Sequence, residues 1–157
     1  MPIICLRYCL WSGIKLRFSE MLTILPVFTV NAIPGLTLGC ALANAIGMAM
    51  GANIAGAWDI LIGTAATFLA ACTTYALRHV RVKGLPVLAT LPPVLFNALI
   101  VGAELCFVIF GNMDIGPLVL TMAQVGGGQL VPCIVGGLML YRCLKNTKIA
   151  RHFDENP

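Results

Sequence analysis

Three carboxylates sit inside or at the edge of long apolar runs: Glu20, Asp59 and Glu104. An ionised carboxylate at the centre of a bilayer costs about 2.5 to 3.5 kcal/mol on insertion scales, so such a residue marks a ligand path or lies at an interface. Glu104 stands seven residues after Asn97, nearly two α-helical turns, which would bring both to one helix face and one cavity. The plainer alternatives are a Glu104 near the outer interface and an Asn97 spent on an interhelical hydrogen bond. Glu20 follows Arg17 by three residues and either pairs with it at the interface or joins it as a lid over a cavity. Asp59 opens an apolar helix, where N-capping or dipole stabilisation is the plain reading. Asn44, and Gln129 after Gly126-Gly127-Gly128, are neutral amides that can hydrogen-bond a planar heterocycle without burying charge.

Other chemistries lack their residues. Gly126-Gly127-Gly128 is not followed by the Lys-Ser/Thr that completes a phosphate loop. His79 lies in a basic loop and His152 in the tail, far from any intramembrane serine or cysteine, so no nucleophile and base converge and no enzyme is expected. The seven cysteines (5, 9, 40, 72, 106, 133 and 143) are odd in number, contain no C-x-x-C and have no paired histidines. They are expected to be small packing residues, with neither metal nor cofactor bound.

The elements that must position these residues are set by composition. Of 157 residues, 59% are hydrophobic and only 10% charged. A soluble domain this small would need a polar exterior that sixteen ionised groups cannot supply, so the apolar surface must face lipid. This predicts an all-α, polytopic membrane protein and excludes disorder or nucleic-acid binding as its main role. A bilayer core needs about 20 helical residues. Nearly charge-free runs then give about five segments: a short one at 19–31 carrying Pro26, then 34–51, 57–77, 85–110 and 117–141. The break between the first two is expected at Asn31–Gly35, where Pro34 disfavours helix before it. One domain is expected, with an N-terminal segment (1–18), a helical core (19–144) and a tail (145–157).

Seven of the ten basic residues fall in two clusters, Arg78/Arg81/Lys83 and Arg142/Lys145/Lys148/Arg151, each ending an apolar run. Two spans separate them, so they share a side, and the C-terminus is expected in the cytoplasm. Five spans would leave Arg7, Lys15 and Arg17 outside, which hints at a further helix upstream. Gly35, Gly39, Ala43, Gly47 and Gly51 recur every four residues. This stripe is expected to pack on a sister helix of the same chain, with docking to another membrane protein as the alternative.

Four blocks resemble the QueT family, substrate-binding membrane subunits of energy-coupling-factor (ECF) transporters associated with queuosine precursors. The first is Arg17-Phe18-Ser19-Glu20-Met21-Leu22-Thr23-Ile24-Leu25-Pro26, continuing in Ala32-Ile33-Pro34-Gly35-Leu36-Thr37-Leu38-Gly39-Cys40 and Asn44. The second runs from Asp59 through Gly63, Ala66-Thr67, Ala70-Ala71 and Thr74-Tyr75 to Arg78. The third is Leu91-Pro92-Pro93-Val94 with Asn97-Ala98, Val101-Gly102 and Glu104-Leu105. The fourth, Val125 to Gln129 with Cys133 and Gly137, departs at Gln129, where the family pattern has Glu, and at Pro132 and Ile134.

The resemblance implies a six-helix subunit of the bacterial plasma membrane. It would deliver a 7-deazaguanine to a coupling transmembrane subunit and two ATPase subunits, which supply the energy. Met1 to Gly13 is too short for the family's first helix, so the chain is expected either to begin within a longer reading frame or to be a degenerate paralogue. The implied substrate-binding set is Glu104, Asn97, Glu20, Arg17, Gln129 and Asn44: a carboxylate accepts from the guanine-like edge, and Asn97 or Gln129 serves the ring carbonyl. The alternatives are an importer subunit for another heterocyclic vitamin or nucleobase, and a truncated scaffold that transports nothing.

Overall fold

The computed structural model describes residues 17–51, 55–111 and 113–145 of the chain. The expected N-terminal segment and tail fall largely outside these, as does the side chain of Arg17.

Helix α1 (Arg17–Met21) passes directly into a 3-10 turn, Leu22–Val27, that contains Pro26. Together they form the short first segment, well under the length that crosses a bilayer. Four helices that follow are long and apolar enough to span: α2 (Ala32–Ala49), α3 (Ala57–Ala76), α4 (Val87–Phe110) and α5 (Ile115–Lys145). The described residues contain no β-strand, and the architecture is all-α and polytopic. The break lies at Phe28–Asn31, slightly earlier than Pro34, because proline is tolerated in the first turn of a helix, where its missing N–H has no partner to lose.

The basic loop between α3 and α4 closes in a tight hairpin. Val82 and Leu85 exchange backbone hydrogen bonds of 2.9 and 3.1 Å, and both central residues, Lys83 (φ 53°) and Gly84 (φ 80°), are left-handed, as a type I′ turn requires. At the opposite end, α4 stops at Gly111, whose φ of 68° lets its N–H reach the Phe107 carbonyl at 2.9 Å.

Packing is arranged for lipid. The interior face of α3 is a ladder of small residues, Gly63, Ala66, Ala70 and Thr74, with Ala66 and Ala70 only 0% and 2% exposed. Large apolar side chains point outward, with Leu38 64% and Leu61 68% exposed. Helices in lipid gain little from hiding Leu, so they approach through small residues instead. The crossing of α4 and α5 is equally close: a Cβ at Gly102 would lie 2.8 Å from the Met122 Cα, and one at Gly126 would lie 3.1 Å from the Ala98 Cβ.

The glycine stripe of α2 corrects the intrachain-packing expectation. Gly35, Gly39 and Ala43 are exposed, and a Cβ at Gly35 or Gly39 meets nothing within 4 Å. A four-residue repeat defines a smooth face, but α2 packs along α3 with the face that carries Ile33, Cys40 and Asn44.

Beneath the basic loop, Ile24, Ala89 and Tyr141 form a buried cluster. Phe28 stacks on Tyr141 with ring centroids 5.1 Å apart, and the buried Thr74 hydroxyl donates to the Ala89 carbonyl at 3.1 Å. These contacts tie the 3-10 turn of the first segment to α3, α4 and α5 at one end of the bundle.

Candidate functional site

Two polar centres interrupt this apolar packing. The first joins α4 and α5: Asn97 Nδ2 donates to Gln129 Oε1 at 3.0 Å. A π-helical segment begins at Asn97 and runs to Val101, and a second, Pro132–Gly136, follows Gln129 by one turn. Pro132 has no N–H for the carbonyl four residues back, and the helix carries on by widening. Both π-segments therefore flank the one amide pair. Cys133, one turn beyond Gln129, points its thiol at the Glu20 backbone carbonyl at 3.9 Å. Glu20 is half-buried, its carbonyl also accepts from the Thr23 hydroxyl, at 2.6 Å, and Met21 packs against Gly136. The short first segment thus lies against α5 near the amide pair.

The second centre lies between α2, α3 and α4. Asn44 Nδ2 donates to the backbone carbonyl of Asp59 at 2.8 Å, which fastens α2 to the first turn of α3. Thr67 donates to the Gly63 carbonyl at 2.9 Å and lies 3.2 Å from the Cys40 sulfur. Glu104 approaches from α4. It is only 7% exposed, and both of its carboxylate oxygens are buried without a hydrogen-bond partner. The Thr64 hydroxyl is a further buried oxygen without a partner.

The candidate residues thus divide. Asn97 and Gln129 are joined with Glu20 nearby, while Asn44 is fastened to Asp59 and Glu104 lies buried on α4; the side chain of Arg17 falls outside the described residues. The shared face expected for Asn97 and Glu104 assumed a regular α-register, which the π-segment between them interrupts. The N-cap reading of Asp59 is also corrected: Gly56 is the N-cap of α3 and no side chain caps it, while Asp59, one turn in, still benefits from the helix dipole. Asp59 starts one span and Glu104 lies toward the end of the next antiparallel one, which puts them at similar depth. An apolar groove of about 410 Å³, lined by residues such as Leu77, Leu91, Pro92 and Leu99, faces outward between α3 and α4 and contains none of the candidates.

The sequence model of the QueT transporter family matches residues 3–146. The chain belongs to this family. QueT membership covers both polar centres and assigns the chain a role in membrane transport. No curated protein and no solved structure matches the sequence. Several apolar helices and a transporter family together make it a multi-pass membrane protein.

Proposed function

We propose that this QueT chain is the substrate-capturing membrane subunit of an ECF importer and that its ligand is a 7-deazaguanine of the queuosine-precursor type. The observation that carries the reading is Glu104, a carboxylate buried in a membrane helix with no hydrogen-bond partner of its own. Burial without a partner is costly, and N–H donors on a ligand would offset it. The amide pair offers complementary groups. With Asn97 Nδ2 and Gln129 Oε1 engaged, Gln129 Nε2 remains to donate and Asn97 Oδ1 to accept, which matches the adjacent carbonyl and N–H of a guanine-like ring. Glu20, whose backbone carbonyl faces Cys133 one turn beyond Gln129, and Arg17, three residues before it in sequence, would close over the ligand.

The two basic clusters end α3 and α5, so the positive-inside rule places that end and the C-terminus in the cytoplasm of a bacterial cell. Asp59 and Glu104 then occupy the outer half of the membrane, Glu104 lying about 9 Å from the outer end of α4. A ligand entering from outside would reach them first. The sequence carries no phosphate-loop motif, and on this reading the energy comes from the coupling transmembrane subunit and its two ATPases.

The test is uptake of a radiolabelled 7-deazaguanine into proteoliposomes that hold the chain together with an ECF module. Accumulation that requires ATP and the chain supports the reading. A labelled precursor that stays outside vesicles containing an assembled, ATP-hydrolysing complex contradicts it.

A further inference from the structure

We infer that the outward groove between α3 and α4 is a binding site for an anionic phospholipid, with an acyl chain in the groove and the phosphate on the basic loop that joins its two walls. The groove has a volume of about 410 Å³ and is walled by Thr73 and Leu77 at the end of α3 and by residues of α4 that include Leu88, Pro92, Leu95 and Leu99. Thr73 and the buried Pro92 are short side chains among leucines, and that difference in size leaves a furrow. Thr73 is the one polar residue among the described lining, and its hydroxyl proton is already donated to the Leu69 carbonyl at 2.8 Å. A polar ligand would leave its own groups unpaired there, whereas a hydrocarbon chain has none to pair. From Leu88 to Leu99 the groove follows roughly 16 Å of α4. That is the depth of one leaflet of a hydrocarbon core about 30 Å thick.

The charge of the occupant follows from the loop. Leu77 and Leu88 are the lining residues that flank it, and between them lie Arg78, Arg81 and Lys83, with no Asp or Glu from 60 to 103. The Val82–Leu85 hairpin keeps the loop short, so the exposed Arg81 and Lys83 stay beside the groove mouth. Arg78 directly follows Leu77; its guanidinium lies 3.8 Å over the Tyr75 ring and its Nε donates to His79 Nε2 at 2.9 Å. Those contacts hold the guanidinium in place, and its terminal nitrogens suit a phosphate. Val80 and Val82 are exposed beside these cations, as expected of a loop seated among lipid headgroups. Arg142 and Lys145 carry the same sign but line no part of the groove, which makes them an internal control. The inference is independent of what the chain imports.

The experiment is native mass spectrometry of the full chain in detergent, titrated with phosphatidylglycerol and with phosphatidylcholine of identical acyl chains. Three variants accompany the unaltered protein, each checked for helicity by circular dichroism. They are the triple Arg78→Gln/Arg81→Gln/Lys83→Gln, the control double Arg142→Gln/Lys145→Gln, and Leu95→Trp, which fills the groove from an exposed position. The anionic lipid is expected to bind the unaltered protein at least about tenfold more tightly than the zwitterionic one. The triple variant should bring the two lipids within roughly threefold of each other, the control double should keep the preference, and Leu95→Trp should weaken the anionic lipid by about tenfold. Equal affinity of the two lipids for the unaltered protein overturns the inference without needing any variant. So does an equal loss of preference in the triple and the control double, the mark of diffuse surface charge. Undiminished binding of the anionic lipid by Leu95→Trp overturns it as well, since the headgroup would then be held without the groove. Each of these results leaves the proposed function standing.

Discussion

A polar side chain inside lipid has few ways to be satisfied, and the two polar centres use different ones. Asn97 and Gln129 satisfy each other across α4 and α5. Interhelical hydrogen bonds in membrane proteins are worth about 0.6 kcal/mol on average and up to about 1.7. The Asn97→Ala and Gln129→Ala double-mutant cycle is therefore expected to give a coupling energy within that range, read from unfolding in mixed micelles. Additive losses would mean that the bond contributes nothing. Glu104 has no such partner, so replacing it by the neutral Gln should raise the thermal stability of the ligand-free protein while weakening ligand capture. A stability gain combined with a binding loss distinguishes a group kept for function from one kept for packing. Of these two centres, the candidate residues were legible one by one as polar types in apolar runs. Their grouping was not, because Asn97 and Gln129 are 32 positions apart and the π-segment at 97–101 shifts Glu104 relative to Asn97.

At the level of helices, two glycines that look alike in sequence have opposite surroundings. Gly102 sits where α4 touches the backbone of α5, with only 2.8 Å between its would-be Cβ and the Met122 Cα. Gly39 faces open space on α2. Gly102→Val should force the helices apart and lower stability by about 1 to 3 kcal/mol, as overpacking does. Gly39→Val should leave the melting temperature unchanged, as fluorescence-detected size exclusion after heating would show. A large loss at Gly39 would mean that the stripe is covered by another helix in the detergent-purified protein. The spans 57–77, 85–110 and 117–141 could be read closely from nearly charge-free runs, because charges inside lipid are expensive and clusters of them mark the ends. The direction of the glycine stripe could not be, because periodicity shows which residues share a face and leaves open what faces them. Close packing is instead carried by Gly63, Ala66, Ala70 and Thr74 on α3, a small-residue ladder less regular than the one on α2.

For the whole molecule, the inverted distribution of side chains, with small residues inside and leucines outside, makes sense only in a bilayer. The proposed orientation rests on the two basic clusters. With Cys143 exposed near the end of α5, a membrane-impermeant maleimide should label it only from the cytoplasmic side, and a cysteine placed by Met113→Cys should react from outside. Labelling of Cys143 in intact cells would invert the topology and move Asp59 and Glu104 to the inner half. In the proposed orientation Asp59 and Glu104 lie in the outer half, toward the side from which an importer would collect, and the buried cluster of Ile24, Ala89 and Tyr141 lies at the other end. The measurement that bears most directly on this account is calorimetric titration of the purified, helical full chain with queuosine-type 7-deazaguanines, guanine serving as the comparison. Saturable binding of a 7-deazaguanine, tighter than that of guanine and weakened by Glu104→Ala, is the result the account predicts. Full affinity in Glu104→Ala, or no heat with any 7-deazaguanine from folded protein, would contradict it.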